Sequence, residues 1–252
     1  LETGQEFTRN ARTMMHAAST MKVPVMIELF RQADAGTLSL DDSIRIRNRF
    51  ASIVDGSFYS LTADVDSDSA LYDKIGESLP VRELIRRMIV RSSNLATNIL
   101  IDKAGAESVV KTMRSLGADT IQVRRGVEDL KAYRKGWNNR TNAYDMMVIM
   151  RAIAEGTAAS PEACAAMIDI LSQQEFRHKI PAGLPDSVRV ANKTGSITAI
   201  DHDAAIVFPP GRKPYVLVVL TKGIADHGRA QQAIEEISRQ VFQGLVAGGD
   251  ER

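Results

Sequence analysis

Apolar residues recur at helical intervals in several stretches of this chain. Val23, Met26, Ile27 and Phe30 predict a helix over residues 19–34, with Ala35-Gly36 as its stop. Leu84, Ile85, Met88 and Ile89, followed by Leu95, Ile99 and Leu100, give a second helical pattern between Val81 and Ala104, which the small polar run Ser92-Ser93-Asn94 interrupts. Further on the period changes. Val188-Arg189-Val190-Ala191-Asn192 is a short β-prone run, and Ala204–Phe208 and Tyr215–Leu220 flank the turn-rich Pro209-Pro210-Gly211-Arg212-Lys213-Pro214, which predicts a β-hairpin. From Ala230 to Phe242 the apolar positions Ile234, Ile237 and Val241 return to helical spacing, an amphipathic helix suited to covering one face of that sheet. Residues Asp64 to Asp73, rich in Asp and Ser, read as an exposed loop without the ordered ligand pattern of a calcium site.

Composition narrows the function classes. The 252 residues, 44% hydrophobic, can bury a substantial core in one or two domains. Thirty-two basic against thirty-one acidic residues leave a formal charge of +1, which gives no footprint for nucleic acid. Cys164 stands alone, so an internal disulfide and a cysteine-based metal site are excluded; its apolar setting points to a buried thiol. His16, His178, His202 and His227 show no paired metal-ligand spacing, and no apolar run is long enough to span a membrane.

Three short motifs carry the candidate chemistry: Ser19-Thr20-Met21-Lys22, Ser92-Ser93-Asn94 and Lys193-Thr194-Gly195-Ser196. A serine hydroxyl is a poor nucleophile until a base within hydrogen-bond reach takes its proton. On a helix, Ser19 and Lys22 lie one turn apart on one face, and the helix N-terminus favours negative charge developing at Ser19. Lys22 can serve as that base only if burial or nearby positive charge lowers its pKa, and Lys193 is a source of such charge. Each motif also has a plainer reading. Ser19 can be a helix cap, Ser92-Ser93-Asn94 a joint that caps the second helix, and Lys193-Thr194-Gly195 a turn at a strand end. In the functional reading Ser92 shuttles a proton to the leaving group, and Asn94 holds the substrate. Gly195 lets substrate approach the backbone, and the amides of Ser196 and Ser19 donate to an oxyanion. Taken in this order, the three predict an acyl-transfer enzyme.

The ordered triple, with Met88-Ile89-Val90-Arg91 leading into Ser92-Ser93-Asn94-Leu95-Ala96-Thr97-Asn98, resembles the penicillin-recognising serine hydrolases, nearest the class A β-lactamases, from residue 1 to about 246. The resemblance implies an α+β fold: a mostly antiparallel five-stranded sheet flanked by helices (1–18 and 180–252) beside a mainly helical region (19–179), with one site in the cleft between them. It also implies Ser19 as the acylated nucleophile, Lys22 as base, Ser92 as proton shuttle and Asn94 as substrate contact. Lys193, Thr194 and Ser196 would bind the substrate carboxylate and carbonyl. No cofactor is implied. The substrate would be a small β-lactam or a D-alanyl peptide, the protein a monomer, and the location the periplasm or the exterior.

Departures from the family pattern sharpen the expectations. The family's deacylating glutamate lies in an Arg-x-Glu-x-x-Leu-Asn context; aligning Arg125 and Leu130 puts Val127 at the glutamate position and Lys131 at the asparagine, with Glu128 one place off. Either a loop adjustment brings Glu128 to the water, with Asp129 a weaker substitute, or Glu128 pairs with Arg125 and pins the loop. Asn139 replaces the usual aspartate, so an ion pair with arginine is lost, and Ser93 replaces the aspartate of the second motif. No Arg or Lys occurs from Ser196 to Gly211 to bind a carboxylate, which leaves His202 or Lys222 to compensate unless His202 is structural. Leu1-Glu2-Thr3-Gly4-Gln5-Glu6-Phe7 resembles the turn after the family's first strand, so an N-terminal helix and most of that strand are expected to be missing. Three functions fit these motifs: a β-lactamase-like hydrolase opening the β-lactam amide, with Glu128 as the deacylating base; a D-alanyl peptidase or esterase that releases β-lactams slowly; and a sensor that is acylated without turnover.

Overall fold

The structure is a computed structural model that describes residues 1–247. Helix α1 (Lys22–Asp34) lies at the centre, with every residue from Lys22 to Phe30 buried. Around it pack α2 (Val81–Val90), α3 (Asn94–Ala104), α4 (Ala106–Ser115) and α7 (Pro161–Ser172), while α6 (Ala143–Ala154) packs on α7 and the main sheet and the short α5 (Leu130–Arg134) lies on the loop between α4 and α6. Local chemistry sets the boundaries. Pro24 is tolerated because it falls in the first turn of α1, where its missing N–H has no partner to lose. Ser93, Asp129, Asn142 and Ser160 cap α3, α5, α6 and α7, each side chain accepting from a backbone amide two or three residues into the helix.

The main sheet is antiparallel in the order β7 (Arg189–Ile197), β8 (Ile200–Phe208), β9 (Tyr215–Leu220). The predicted hairpin across residues 209–214 is present, with Val207 opposite Tyr215. Both preceding strands run longer than hydrophobicity suggests. β7 continues through Lys193-Thr194-Gly195-Ser196, so the third motif is ladder rather than a turn, and β8 begins at Ile200 because Asp201, His202 and Asp203 are buried polar residues with partners. One sheet face, through Ala191, Ala204 and Ile206, joins the helical core. The other, through Val190, Ala205 and Val207, packs with Ile180 and Ile234 beneath α8 (His227–Ala247), so the helix covers that face as expected, but of its predicted apolar positions only Ile234 is buried and Ile237 is exposed, with Phe242 packing in its place.

The five-stranded sheet is corrected to three strands among the described residues. The remaining strands form two-stranded ribbons: β1 (Met15–His16) with β6 (Arg140–Thr141), β2 (Ser43–Arg45) with β5 (Ser78–Pro80), and β3 (Phe50–Ala51) with β4 (Phe58–Tyr59). Residues 1–14 are mostly polar and exposed, Phe7 included, and bury no apolar stripe that would hold them along a sheet edge. Among the described residues no helix is long and apolar enough to cross a membrane. Cys164 is buried on α7.

The run Asp64–Asp73 is not simply an exposed loop. Asp66 and Asp68 are buried and Ser69–Lys74 forms a 3-10 turn, because Asp68 pairs with Arg87 at 2.9 Å and with Arg91 at 3.3 Å while Asp66 turns inward. The carboxylates are masked by partners far away in sequence.

The 3-10 turn Ile180–Gly183 fits tightly against α8 at Gly183. A Cβ there would stand 2.2 Å from the Glu235 carbonyl oxygen on the backbone of α8. Gly183→Ala is therefore expected to cost about 1–3 kcal/mol through overpacking. Thermal or urea unfolding measures that loss, and an unchanged midpoint would mean that α8 is free to shift.

Candidate active site

Ser19 lies in the 3-10 turn Ala18–Met21 that leads into α1. The turn is held from both sides: the Ala17 amide donates to the Asn139 carbonyl at 2.9 Å, and the Ala18 amide donates to His16 Nδ1 at 3.0 Å. Ala18 adopts a left-handed φ of 45° there. Burial, then the nearby Arg125 guanidinium, pulls the His16 pKa down to about 4, so its ring remains a neutral acceptor for that amide at neutral pH. Strand β7 passes directly against the turn. A Cβ at Gly195 would lie 2.9 Å from the Ser19 nitrogen and 3.1 Å from the Ala18 Cβ. The glycine of the third motif therefore accommodates protein backbone, a requirement that exists before any substrate arrives.

Lys22 is fully buried, and its Nζ donates to the Ser92 carbonyl (2.6 Å), Ser92 Oγ (3.1 Å) and Asn94 Oδ1 (3.0 Å). The direct Ser19–Lys22 hydrogen bond suggested by their spacing is absent among the described residues, because Lys22 is turned toward the second motif. Burial drives its pKa down to about 7, against the opposing pull of the Asp66 and Glu128 carboxylates. Desolvation, rather than the charge of Lys193, is the leading cause. Lys193 is equally buried and donates to the same Ser92 Oγ at 3.1 Å and to the Thr194 carbonyl at 2.9 Å. Its pKa falls well below the ordinary lysine value, first through burial and then through the charge of Lys22. Ser92, itself left-handed at φ 57°, thus presents one hydroxyl between two buried amines.

Glu128 enters the same cavity by an unusual route. Val127 is anchored by backbone: its amide donates to Asn98 Oδ1 at 2.6 Å, and its carbonyl accepts from Asn98 Nδ2 at 3.1 Å. The next residue, Glu128, takes a left-handed φ of 62°, and its carboxylate accepts from Asn94 Nδ2 at 3.4 Å. The Glu128–Arg125 ion pair is not formed. Arg125 instead donates to the carbonyls of Trp137 and Gly126 and to Asn138 Oδ1, while Asn139 Oδ1 accepts the amides of Arg124 and Arg125. Burial pushes the Glu128 pKa up, with the Asp66 and Asp64 charges adding to it. Asp129 is no substitute base, because its buried carboxylate is committed to Ser52 Oγ and the amides of Ile53 and Ala132. Lys131 points outward to Asp55.

Ser19, Asn94, Glu128 and Ser196 line one cavity of about 330 Å³, and Ser19, Ser92, Thr194 and Gly195 line an adjoining one of about 280 Å³. Neither His202 nor Lys222 stands among these lining residues. His202 is buried with Nε2 against the His16 carbonyl, its structural reading, and Lys222 is exposed. The cation beside Ser196 is Lys179, whose Nζ donates to Ser196 Oγ at 2.8 Å and pairs with the buried Asp201 at 2.9 Å. Sequence reasoning missed Lys179, His16, Asp66 and Asn98. Only Asn98 carried a signal, as an amide on the buried side of an otherwise apolar helical run.

This geometry sets the Ser92 hydroxyl between two desolvated amines, with Ser19 and a carboxylate of raised pKa lining the adjoining cavities, the equipment for acyl transfer to serine followed by hydrolysis. The profile of the β-lactamase enzyme family matches residues 1–245. The chain belongs to that family, as a serine β-lactamase-like hydrolase. A β-lactamase of Rhodobacter capsulatus is 26% identical over 95% of this chain and 78% of its own. The crystal structure of a β-lactamase from Sphaerobacter thermophilus superposes with a TM-score of 0.81 at 29% identity, covering 97% of this chain and 89% of that one. A variant of PBP-A, solved as an acyl-enzyme with penicillin G, gives 0.82 at 25% identity over 98% and 88% of the two chains.

Gly195→Ala is expected to push the Ser19 turn away from β7 and slow serine acylation at least about tenfold, since small displacements of a reacting group are costly. Stopped-flow acylation reads this directly; a rate within twofold of the parent would show that the turn yields freely.

Proposed function

We propose that the protein opens the amide of β-lactams through an acyl-enzyme on Ser19. Residues 1–18 and 180–252 would form one catalytic unit with the helical stretch 19–179, with the site in the cleft between them. The observation that carries the reading is the convergence of Ser92, Asn94 and Glu128 on the cavities that Ser19 lines, with buried Lys22 bonded to Ser92 and Asn94 behind them. In this mechanism neutral Lys22 takes the Ser19 proton as Oγ attacks the β-lactam carbonyl. The Ser92 hydroxyl, between Lys22 and Lys193, passes a proton to the departing ring nitrogen. The oxyanion is met by the amides of Ser19 and Ser196. Asn94, Lys193, Thr194 and Ser196 hold the substrate amide and carboxylate, and Gly195 keeps the strand close. For release, Glu128 takes a proton from water as it attacks the acyl carbonyl, and returns that proton to Ser19 Oγ when the ester bond breaks.

The penicillin G acyl-enzyme of PBP-A, whose fold this chain shares, supports β-lactam acylation here. A second reading, a D-alanyl peptidase or esterase with slow β-lactam release, is favoured by Val127 standing where the family's glutamate belongs. Residence in the periplasm or outside the cell, action as a monomer and a role in antibiotic resistance belong to the same proposal and rest on family resemblance alone.

Steady nitrocefin hydrolysis is expected, against a mass adduct persisting for hours if the second reading holds. Ser19→Ala should abolish covalent labelling by penicillin, and surviving label would refute the nucleophile. Glu128→Gln should accumulate the acyl-enzyme, slowing turnover on the order of 100-fold. Because Lys22 must be neutral to act, acylation should rise with pH through about 7; a flat profile from pH 5 to 8 would remove Lys22 from the step.

A further inference from the structure

The catalytic side chains hang on a carboxylate that belongs to none of the three motifs. Asp66, 7% exposed, accepts the backbone amide of Asn94 on both oxygens (3.1 and 3.0 Å), the Leu95 amide at 2.9 Å, the Tyr72 hydroxyl at 3.0 Å and the Asp68 amide at 3.1 Å. It therefore closes the N-terminus of α3 from a segment 28 residues upstream, while Ser93 caps only the Ala96 amide at 3.2 Å. The residue it grips is the hinge of the site. Asn94 accepts from Lys22 through Oδ1 and donates to Glu128 through Nδ2, so a shift of its backbone moves the two proposed proton carriers together.

We propose that Asp66 is a positioning residue of the hydrolytic site, fixing Asn94 between Lys22 and Glu128. This rests on the reading of Ser19 and Lys22 given above. The charged and titratable groups facing Asp66 are Lys22 on α1, Glu128 on the loop before α5, Asp64 beside it and Tyr72 on the 3-10 turn, which burial and Asp66 hold in its neutral form. Arg87 and Arg91 on α2 are engaged by Asp68 rather than Asp66. Asp66 favours the protonated form of both Lys22 and Glu128. Removing its charge therefore lowers the pH at which each becomes active as a base.

The test is acylation of the full chain by penicillin G, followed by stopped flow and mass spectrometry from pH 5 to 9. In Asp66→Asn the side-chain NH2 would face backbone donors, and acylation is expected to slow at least about tenfold. Its acid limb should move to lower pH, whereas Asp66→Glu, which retains the charge, should return the limb to the parental position. A purely structural residue would alter thermal stability and rate but leave the limb in place, and that result overturns the proposal. Should Asp66→Asn not fold, Tyr72→Phe decides: loss of its hydroxyl frees the carboxylate and should slow acylation about two- to fivefold, and an unchanged rate refutes the positioning role. Failure of the parent protein to be acylated at all would instead overturn the functional reading.

Discussion

One serine hydroxyl shared by two buried lysine side chains is the constraint around which this molecule is organised. Taking even one ammonium out of water costs several kcal/mol unless acceptors are already in place, and here two such groups meet within hydrogen-bond distance of Ser92 Oγ. The fold answers with the Ser92 carbonyl and Asn94 amide for Lys22, the Thr194 carbonyl for Lys193, and the carboxylates of Asp66, Glu128 and Asp203 nearby. Desolvation, with the charge of Lys22 adding to it at Lys193, makes a proton easy to give up. A cleft between a helical core and a sheet edge suits this purpose, because α1 delivers one amine, the joint between α2 and α3 delivers the hydroxyl, and β7 delivers the other amine.

The loop carrying Glu128 shows how a locally constrained backbone can bring a carboxylate into a cavity. Arg125 is engaged by neutral oxygens of Trp137, Gly126 and Asn138, and Asn139 ties the loop to the turn bearing Ser19. With the ends held by Asn139 and Asn98, a residue in the left-handed region, which costs roughly 1–2 kcal/mol for a side chain other than glycine, can be maintained where it turns a carboxylate inward. Reading the register of side chains in a line would place Glu128 away from the water it is proposed to activate. The backbone handedness at that one residue restores the direction.

Much of this was legible in the linear sequence, for identifiable reasons. Helices α1, α2 and α3 announced themselves because their apolar residues face the helical core at a regular period, and α8 and the β8–β9 hairpin because theirs recur around the second cluster on the far sheet face. The three motifs could be recognised because their chemistry needs particular side chains at short separations. What escaped was everything in which a polar residue is buried by a distant partner. Asp66 and Asp68 looked solvated because nothing local marks an aspartate that will meet α2 and the start of α3, and β8 looked short because Asp201, His202 and Asp203 are satisfied only after folding. Lys179 likewise reaches Ser196 from a turn 17 residues away, a contact no spacing rule predicts.

The close passage of β7 over the Ser19 turn has a consequence for how such sites diverge. Gly195 acts as a mechanical stop that fixes the height of the Ser19 turn relative to the strand, whichever molecule is bound. Selection for a new leaving group can reshape the cavity walls at Leu130, Tyr133 or Thr198, but it cannot thicken the strand at this point without retuning the attack itself. Catalytic geometry and ligand preference are thereby written in separate parts of the same small cleft.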